Sequence, residues 1–146
     1  MSVLLQQSSI DTSRHWMMIL IIDDDPMIRE TIRRMFMRTS FTILTAATAD
    51  EGLALLTNHC PAIVVTDLFM PDKDGLETIA EIRAVDDEVF IIAMSGGSRH
   101  GQSNLLNAAL TFGADALLDK PFRFEQFDAL IHHALDQAEA QFETVT

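Results

Sequence analysis

Four short apolar runs in this chain each end on residues that can do chemistry. Met17 to Ile22 leads into Asp23-Asp24-Asp25, and Ala62 to Thr66 leads into Asp67. Val89 to Met94 leads into Ser95-Gly96-Gly97, and Ala116 to Leu118 leads into Asp119-Lys120-Pro121. Carboxylates held together repel: at an effective dielectric of ~20, two charges ~5 Å apart cost roughly 3 kcal/mol. A hard divalent cation relieves that repulsion, and Mg²⁺ takes one or two carboxylates while keeping waters and sharing phosphate oxygens. A lysine and a hydroxyl placed opposite suit the equatorial oxygens of a phosphoryl group. An aspartate can itself be the nucleophile and form an acyl phosphate. The set fits Mg²⁺-assisted, reversible phosphorylation of an aspartate, and Asp67 ends the run that reads as a strand buried on both faces.

Taken one at a time, these residues have plainer readings. Asp25 precedes Pro26 and reads as a helix cap. Ser95 beside Gly96-Gly97 reads as a turn, Lys120 as a surface lysine and Asp119 as a loop charge, with Asp72 and Asp74 as turn and cap residues. Cys60 reads as a small residue before the strand that begins near Pro61, and the five histidines have no metal-ligand spacing. The coincidence of four strand ends outweighs the separate readings.

The elements that would position these groups alternate along the chain. Strands are expected at Met17–Ile22, Phe41–Leu44, Ala62–Asp67, Val89–Met94 and from Ala116. Between them lie amphipathic helices. One runs from Pro26 to about Arg38 and carries Ile28, Ile32, Met35 and Phe36; a second opens on the capping-box spacing Thr48-Ala49-Asp50-Glu51. A third uses Leu76, Ile79 and Ile82. A fourth, about Gln102 to Phe112, buries Leu105, Leu106, Ala109 and Leu110 and stops at Gly113. The last starts near Phe124. Five β/α units imply an α/β fold, a flavodoxin-like doubly wound parallel sheet of order 2-1-3-4-5. In that order the first and third strands are neighbours, so Asp23-Asp24 faces Asp67.

At 146 residues the chain suits one domain, with residues 1–14 as a flexible polar extension and 15–146 as the folded unit. The net charge of −12 argues against direct binding to nucleic acid or to an anionic membrane. One cysteine excludes an internal disulfide. No run approaches a membrane span, and the first residues lack the pattern of a signal peptide, so a cytoplasmic location is expected.

The residues Ile22-Asp23-Asp24, Asp67 with Met70-Pro71-Asp72-Lys73-Asp74-Gly75, Met94-Ser95-Gly96 and Lys120-Pro121-Phe122 together resemble the receiver domain of bacterial two-component response regulators, the chemotaxis-regulator fold, over about residues 16 to 140. The resemblance implies that Asp67 accepts a phosphoryl group from a phosphohistidine of a sensor histidine kinase or a phosphotransfer protein. It implies Mg²⁺ held by Asp24, Asp67 and the backbone carbonyl of Phe69, with Asp23 acting mainly through water. Ser95 would be the hydroxyl residue, Lys120 the lysine, and the Lys120-Pro121 bond cis. Output would pass to a partner protein through the face of the fourth helix, fifth strand and fifth helix. The aromatic switch residue of the family falls here on Leu117, which puts activation by an inward-turning ring in question. A stand-alone receiver that is a signalling switch rather than an enzyme is expected. The alternatives are a phosphorylation-independent docking module and a phosphohydrolase of the haloacid dehalogenase type, which would use Asp23-Asp24-Asp25 but leave Asp67 unexplained.

Overall fold

The apolar runs become strands, two of them buried along their whole length. In the computed structural model, which describes residues 14–96 and 102–145, one sheet contains β1 (His15–Ile22), β2 (Thr42–Ala46), β3 (Pro61–Asp67), β4 (Phe90–Ser95) and β5 (Ala116–Asp119). Their order is β2-β1-β3-β4-β5 and every pair is parallel. The crossovers are α1 (Pro26–Met35), α2 (Ala49–His59), α3 (Gly75–Val85) and α4 (Gln102–Phe112), and α5 (Phe124–Val145) follows the last strand. This is the expected flavodoxin-like arrangement.

The period-2 alternation of each strand divides the core into two layers. Leu20, Ile22 and Val64 pack with Leu56 of α2, Ile79 and Ile82 of α3 and Ala109 of α4. Ile19, Ile21 and Val65 pack on the other face with Ile32 of α1 and Phe127 and Ile131 of α5. Phe36 anchors this second layer, its ring centroid 5.8, 5.4 and 5.2 Å from those of Phe41, Phe124 and Phe127. Full burial of such a side chain stabilises the fold by about 1.5–3 kcal/mol.

Local chemistry sets the helix limits. Asp25, Thr48 and Asp74 cap α1, α2 and α3 by accepting from Met27 N, Glu51 N and Leu76 N. The capping box differs in one respect: Glu51 returns its carboxylate to Ala47 N rather than to Thr48 N. α1 ends at Met35, short of the expected Arg38, because the chain turns there and the Thr39 hydroxyl donates to Phe36 O at 2.7 Å. β2 begins at Thr42, since Phe41 is used against Phe36 and pairing runs from Met18↔Thr42 to Ile22↔Ala46. Cys60 ends α2 with φ 49° and donates its N–H to Leu56 O, so it is a helix stop as well as a strand entry. α4 rests on the core through Ala109, whereas Leu110, expected in the core, is 44 % exposed. Successive helical residues differ by about 100°, so a narrow helix–sheet contact takes one and leaves its neighbour in water. Gly113 closes α4 with φ +125°, a conformation open to glycine.

Two arginines fasten the pole of the sheet opposite its carboxyl ends. Arg83 donates to the carbonyls of Asp87, Val89 and Gly113 and to Asp115. Arg14 reaches Pro61 O and both oxygens of Asp86, the latter at 2.8 Å. Arg14, expected in the flexible extension, is thus anchored; the rest of that segment, 1–13, lies outside the described residues, as does Gly97. Among the described residues no helix is long and apolar enough to cross a membrane.

At the opposite pole, α3 starts against the loop that follows β3. A Cβ at position 75 would lie 2.5 Å from Leu68 Cα and 2.8 Å from Leu68 C, so only a residue without one lets the loop fold back this tightly. Gly75→Ala should therefore destabilise the protein by about 1–3 kcal/mol, measured as a lower urea midpoint. An unchanged midpoint would show that the loop yields freely.

Candidate functional site

The parallel register brings the four chemically loaded strand ends to one edge. Ile22 pairs with Thr66, so Asp23 and Asp67 each stand one residue beyond a matched pair. Asp67 pairs with Met94 and Ser95 with Asp119, which places Ser95 and Lys120 one step farther along the same edge. Backbone bonds continue the order past the strands, from Leu68 N to Met94 O and from Lys120 N to Ser95 O.

Asp23 is wholly buried. Its Oδ2 accepts from Lys120 Nζ at 2.7 Å, its Oδ1 accepts from Asp25 N at 2.9 Å, and its carbonyl accepts from Arg29 Nη1 at 2.8 Å. Asp24 is exposed at the mouth of the site, while Asp25 is spent on capping α1, as its place before Pro26 implies. Asp67 is 5 % exposed; Oδ1 accepts from Phe69 N at 3.2 Å and Oδ2 lies 3.5 Å from Lys120 Nζ. Oxygen atoms of Asp23, Asp24 and Asp67 all lie within 4.8 Å of one another.

The charges here are unequal. Burial pushes the Asp67 carboxyl above its ordinary value, with the Lys120 ammonium opposing, Asp23 adding to the rise and the Phe69 N–H lowering it. One ammonium therefore serves two buried acids, and it sits closer to Asp23. The donor set is oxygen throughout, compact and short of positive charge, which fits a hard divalent cation such as Mg²⁺.

The expected residues Asp23, Asp24, Asp67 and Lys120 thus converge, and Phe69 joins them through its N–H. Ser95 is buried at the same edge, but its hydroxyl donates to Asp119 Oδ1 at 2.8 Å. Asp119 is accordingly the bonding partner of Ser95 rather than a free loop charge. Asp74 caps α3 as expected, and Asp72 accepts from Ala49 N across to α2. Lys73 bridges Asp50 of α2 and Glu81 of α3 at 3.2 and 2.8 Å. Leu117 is partly buried against the layer formed with α2, α3 and α4. The Lys120-Pro121 bond is cis.

Three residues near the site escaped the sequence reading: Arg29, Asp119 as a bonding partner and Asp72 as a tether. For Asp119 a signal exists in the strand register, since the fifth strand brings it level with Ser95. Arg29 carries none beyond lying one turn into the first helix.

The chain matches the model of the response regulator receiver domain over residues 19–132. It is 37 % identical over 127 residues to a probable C4-dicarboxylate response regulator, DctR, of Halalkalibacterium halodurans, covering 85 % of this chain and 52 % of that protein. It is 36 % identical over 108 residues to the response regulator MprA of a Mycobacterium species, covering 74 % and 46 %. The chain spans about half the length of the curated relatives it matches. Among solved structures, a CheY-like receiver domain protein from Methanospirillum hungatei superposes with a TM-score of 0.77 at 28 % identity, covering 85 % of this chain and 97 % of that one. The NtrX protein of Brucella abortus gives 0.80 at 26 % identity, covering 88 % and 29 %. With a parallel 2-1-3-4-5 sheet, an acidic cluster at its carboxyl edge and relatives of this kind, the chain belongs to the response regulator receiver domain family, the CheY-like signalling switches of two-component systems.

Proposed function

We infer that this receiver accepts a phosphoryl group on Asp67 and so switches its binding to a partner protein. The observation that carries the reading is a single one: a buried carboxylate at the end of the central strand, with Asp23 and Asp24 oxygens within 4.8 Å and Lys120 Nζ 3.5 Å away. The donor is a phosphohistidine on a sensor histidine kinase or phosphotransfer protein. An Asp67 oxygen forms the new O–P bond as the P–N bond of the phosphohistidine breaks, and the electron pair leaves on the imidazole nitrogen.

Asp24, Asp67 and the Phe69 carbonyl would hold Mg²⁺, with Asp23 acting through water. When bound, the ion supplies positive charge between the acids and the phosphoryl oxygens. Lys120 orients and neutralises a phosphoryl oxygen, and the Phe69 N–H fixes the Asp67 carboxylate so that its second oxygen stays available. Ser95 offers its hydroxyl to another phosphoryl oxygen once that hydroxyl is free. The change is read by a partner protein at the face formed by α4, β5 and α5.

The stand-alone mode, with a separate protein as the output, is our reading of how the signal leaves. The matched relatives are about twice as long, and one is named a transcriptional regulatory protein. The expectation of no nucleic-acid contact therefore concerns only the acidic receiver itself, whose surface charge opposes it. The haloacid dehalogenase alternative gains no support: Asp25 of the first acidic run is spent capping α1, and Asp67 rather than that run ends the central strand. Against a phosphorylation-independent docking module stands the complete set of acids, lysine and hydroxyl.

Asp67→Asn should abolish acid-labile labelling by acetyl phosphate in Mg²⁺; undiminished labelling removes Asp67 as acceptor. The same variant reports on the buried charge. Because the folded-state carboxyl lies above its ordinary value, the stability it lends is fully present below the unfolded pKa and is lost as pH rises through the raised one. In Mg²⁺-free urea titrations, Asp67→Asn should gain on the wild type as pH climbs above the ordinary aspartate range of about 4; a gap that moves the other way contradicts the burial assignment. Mg²⁺ binding only the native state adds RT ln(1 + [L]/Kd), so the melting temperature of the wild type should rise with Mg²⁺ and that of Asp24→Ala should rise less. Matching shifts in both proteins exclude Asp24 from the metal site.

A further inference from the structure

The Ser95 hydroxyl has a single proton, and it is already committed. Ser95 is wholly buried at the end of β4, and among the described residues its acceptor is Asp119 Oδ1 at 2.8 Å. A serine hydroxyl donates one hydrogen bond at a time, so it serves either Asp119 or an acceptor on the Asp67 side. The next residue after Asp119 is Lys120, whose Nζ points the opposite way, to Asp23 and Asp67. Two consecutive side chains at the end of β5 therefore divide the work: one holds the acids and the other holds the hydroxyl away from them. Lys120 N to Ser95 O at 2.9 Å fixes the spacing of the two strand ends, so the hydroxyl changes partner by turning rather than by strand separation.

We propose that Asp119 is a positioning residue that latches Ser95 in the resting state, and that phosphorylation of Asp67 acts by outcompeting it for the Ser95 proton. This rests on the assignment of Asp67 as acceptor. A bond to a carboxylate is charge-assisted and stronger than one between neutral groups, so the latch biases the receiver toward rest. A phosphoryl group, with its own anionic oxygens, is an acceptor of the same class and can displace it. Asp119 is exposed, so on release its carboxylate returns to water without being stranded.

The test is the initial rate of Asp67 labelling by acetyl phosphate in saturating Mg²⁺, for the wild type, Asp119→Ala, Asp119→Asn, Ser95→Ala and the Ser95→Ala/Asp119→Ala double variant. Freeing the hydroxyl should raise the rate about tenfold in Asp119→Ala. Asp119→Asn, whose amide oxygen still accepts, should rise less, and it also stands in should the alanine variant fail to fold. In the Ser95→Ala background the Asp119 substitution should change nothing. Loss of a negative charge near the acids would speed an anionic donor with or without Ser95, so equal acceleration in the two backgrounds overturns the latch. An unchanged rate in Asp119→Ala does the same. Absence of label in the wild type would overturn the Asp67 assignment and the latch together, whereas a labelled wild type with an unresponsive Asp119 overturns the latch alone.

Discussion

The contact between Lys120 Nζ and Asp23 Oδ2, 2.7 Å long, holds the site together. It joins the ends of the first and fifth strands across 97 positions of sequence. Asp23 is sealed from solvent, and a carboxylate so placed is strongly destabilising unless a cation and hydrogen bonds compensate it. Lys120 supplies the cation; Asp25 N supplies a further bond to the same carboxylate. With Asp23 neutralised, Asp67 can sit beside it without the full repulsion of two bare charges. The distance of Asp67 from the ammonium is longer, at 3.5 Å, so the one cation compensates Asp23 more closely than Asp67.

Everything that makes this contact possible is topological. Strands β1 and β3 must be adjacent for Asp23 to meet Asp67, and β4 and β5 must follow in order for Lys120 to reach over both. The two-layer core fixes those strands, and the loops beyond them are tied down at several points. Asp72 reaches α2, Lys73 spans α2 and α3, and Gly75 lets α3 start against Leu68. The loop beside Asp67 is therefore held from two helices, while the Ser95 hydroxyl is held by Asp119 at the end of β5.

The sequence made the sheet order, the five helices and the convergence of Asp23, Asp24, Asp67 and Lys120 legible. Buried parallel strands are written as unbroken apolar runs, and the carboxyl ends of such strands lie at one edge. What it hid depended on register and on direction. Asp119 looks like any loop acid until β5 is aligned with β4, because a shift of one residue would send its side chain to the other face. Leu110 and Ala109 are equally apolar neighbours, and only the docking angle of α4 decides which is covered. Arg14 lies in a polar stretch with no periodicity, and its anchoring is visible only once Asp86 and Pro61 are beside it.

Arg83 has a mechanical meaning for any signal that starts at the other end of the sheet. Its guanidinium ties α3 to the start of β4 through Val89 O and to the exit of α4 through Gly113 O and Asp115, while Asp115 also accepts from Ile91 N. The exit of α4 is thus riveted to the same point as the entry of β4. The end of α4 at Gly113 is therefore its pinned end, tied through Arg83 and Asp115 to α3 and β4 on the pole away from Asp67.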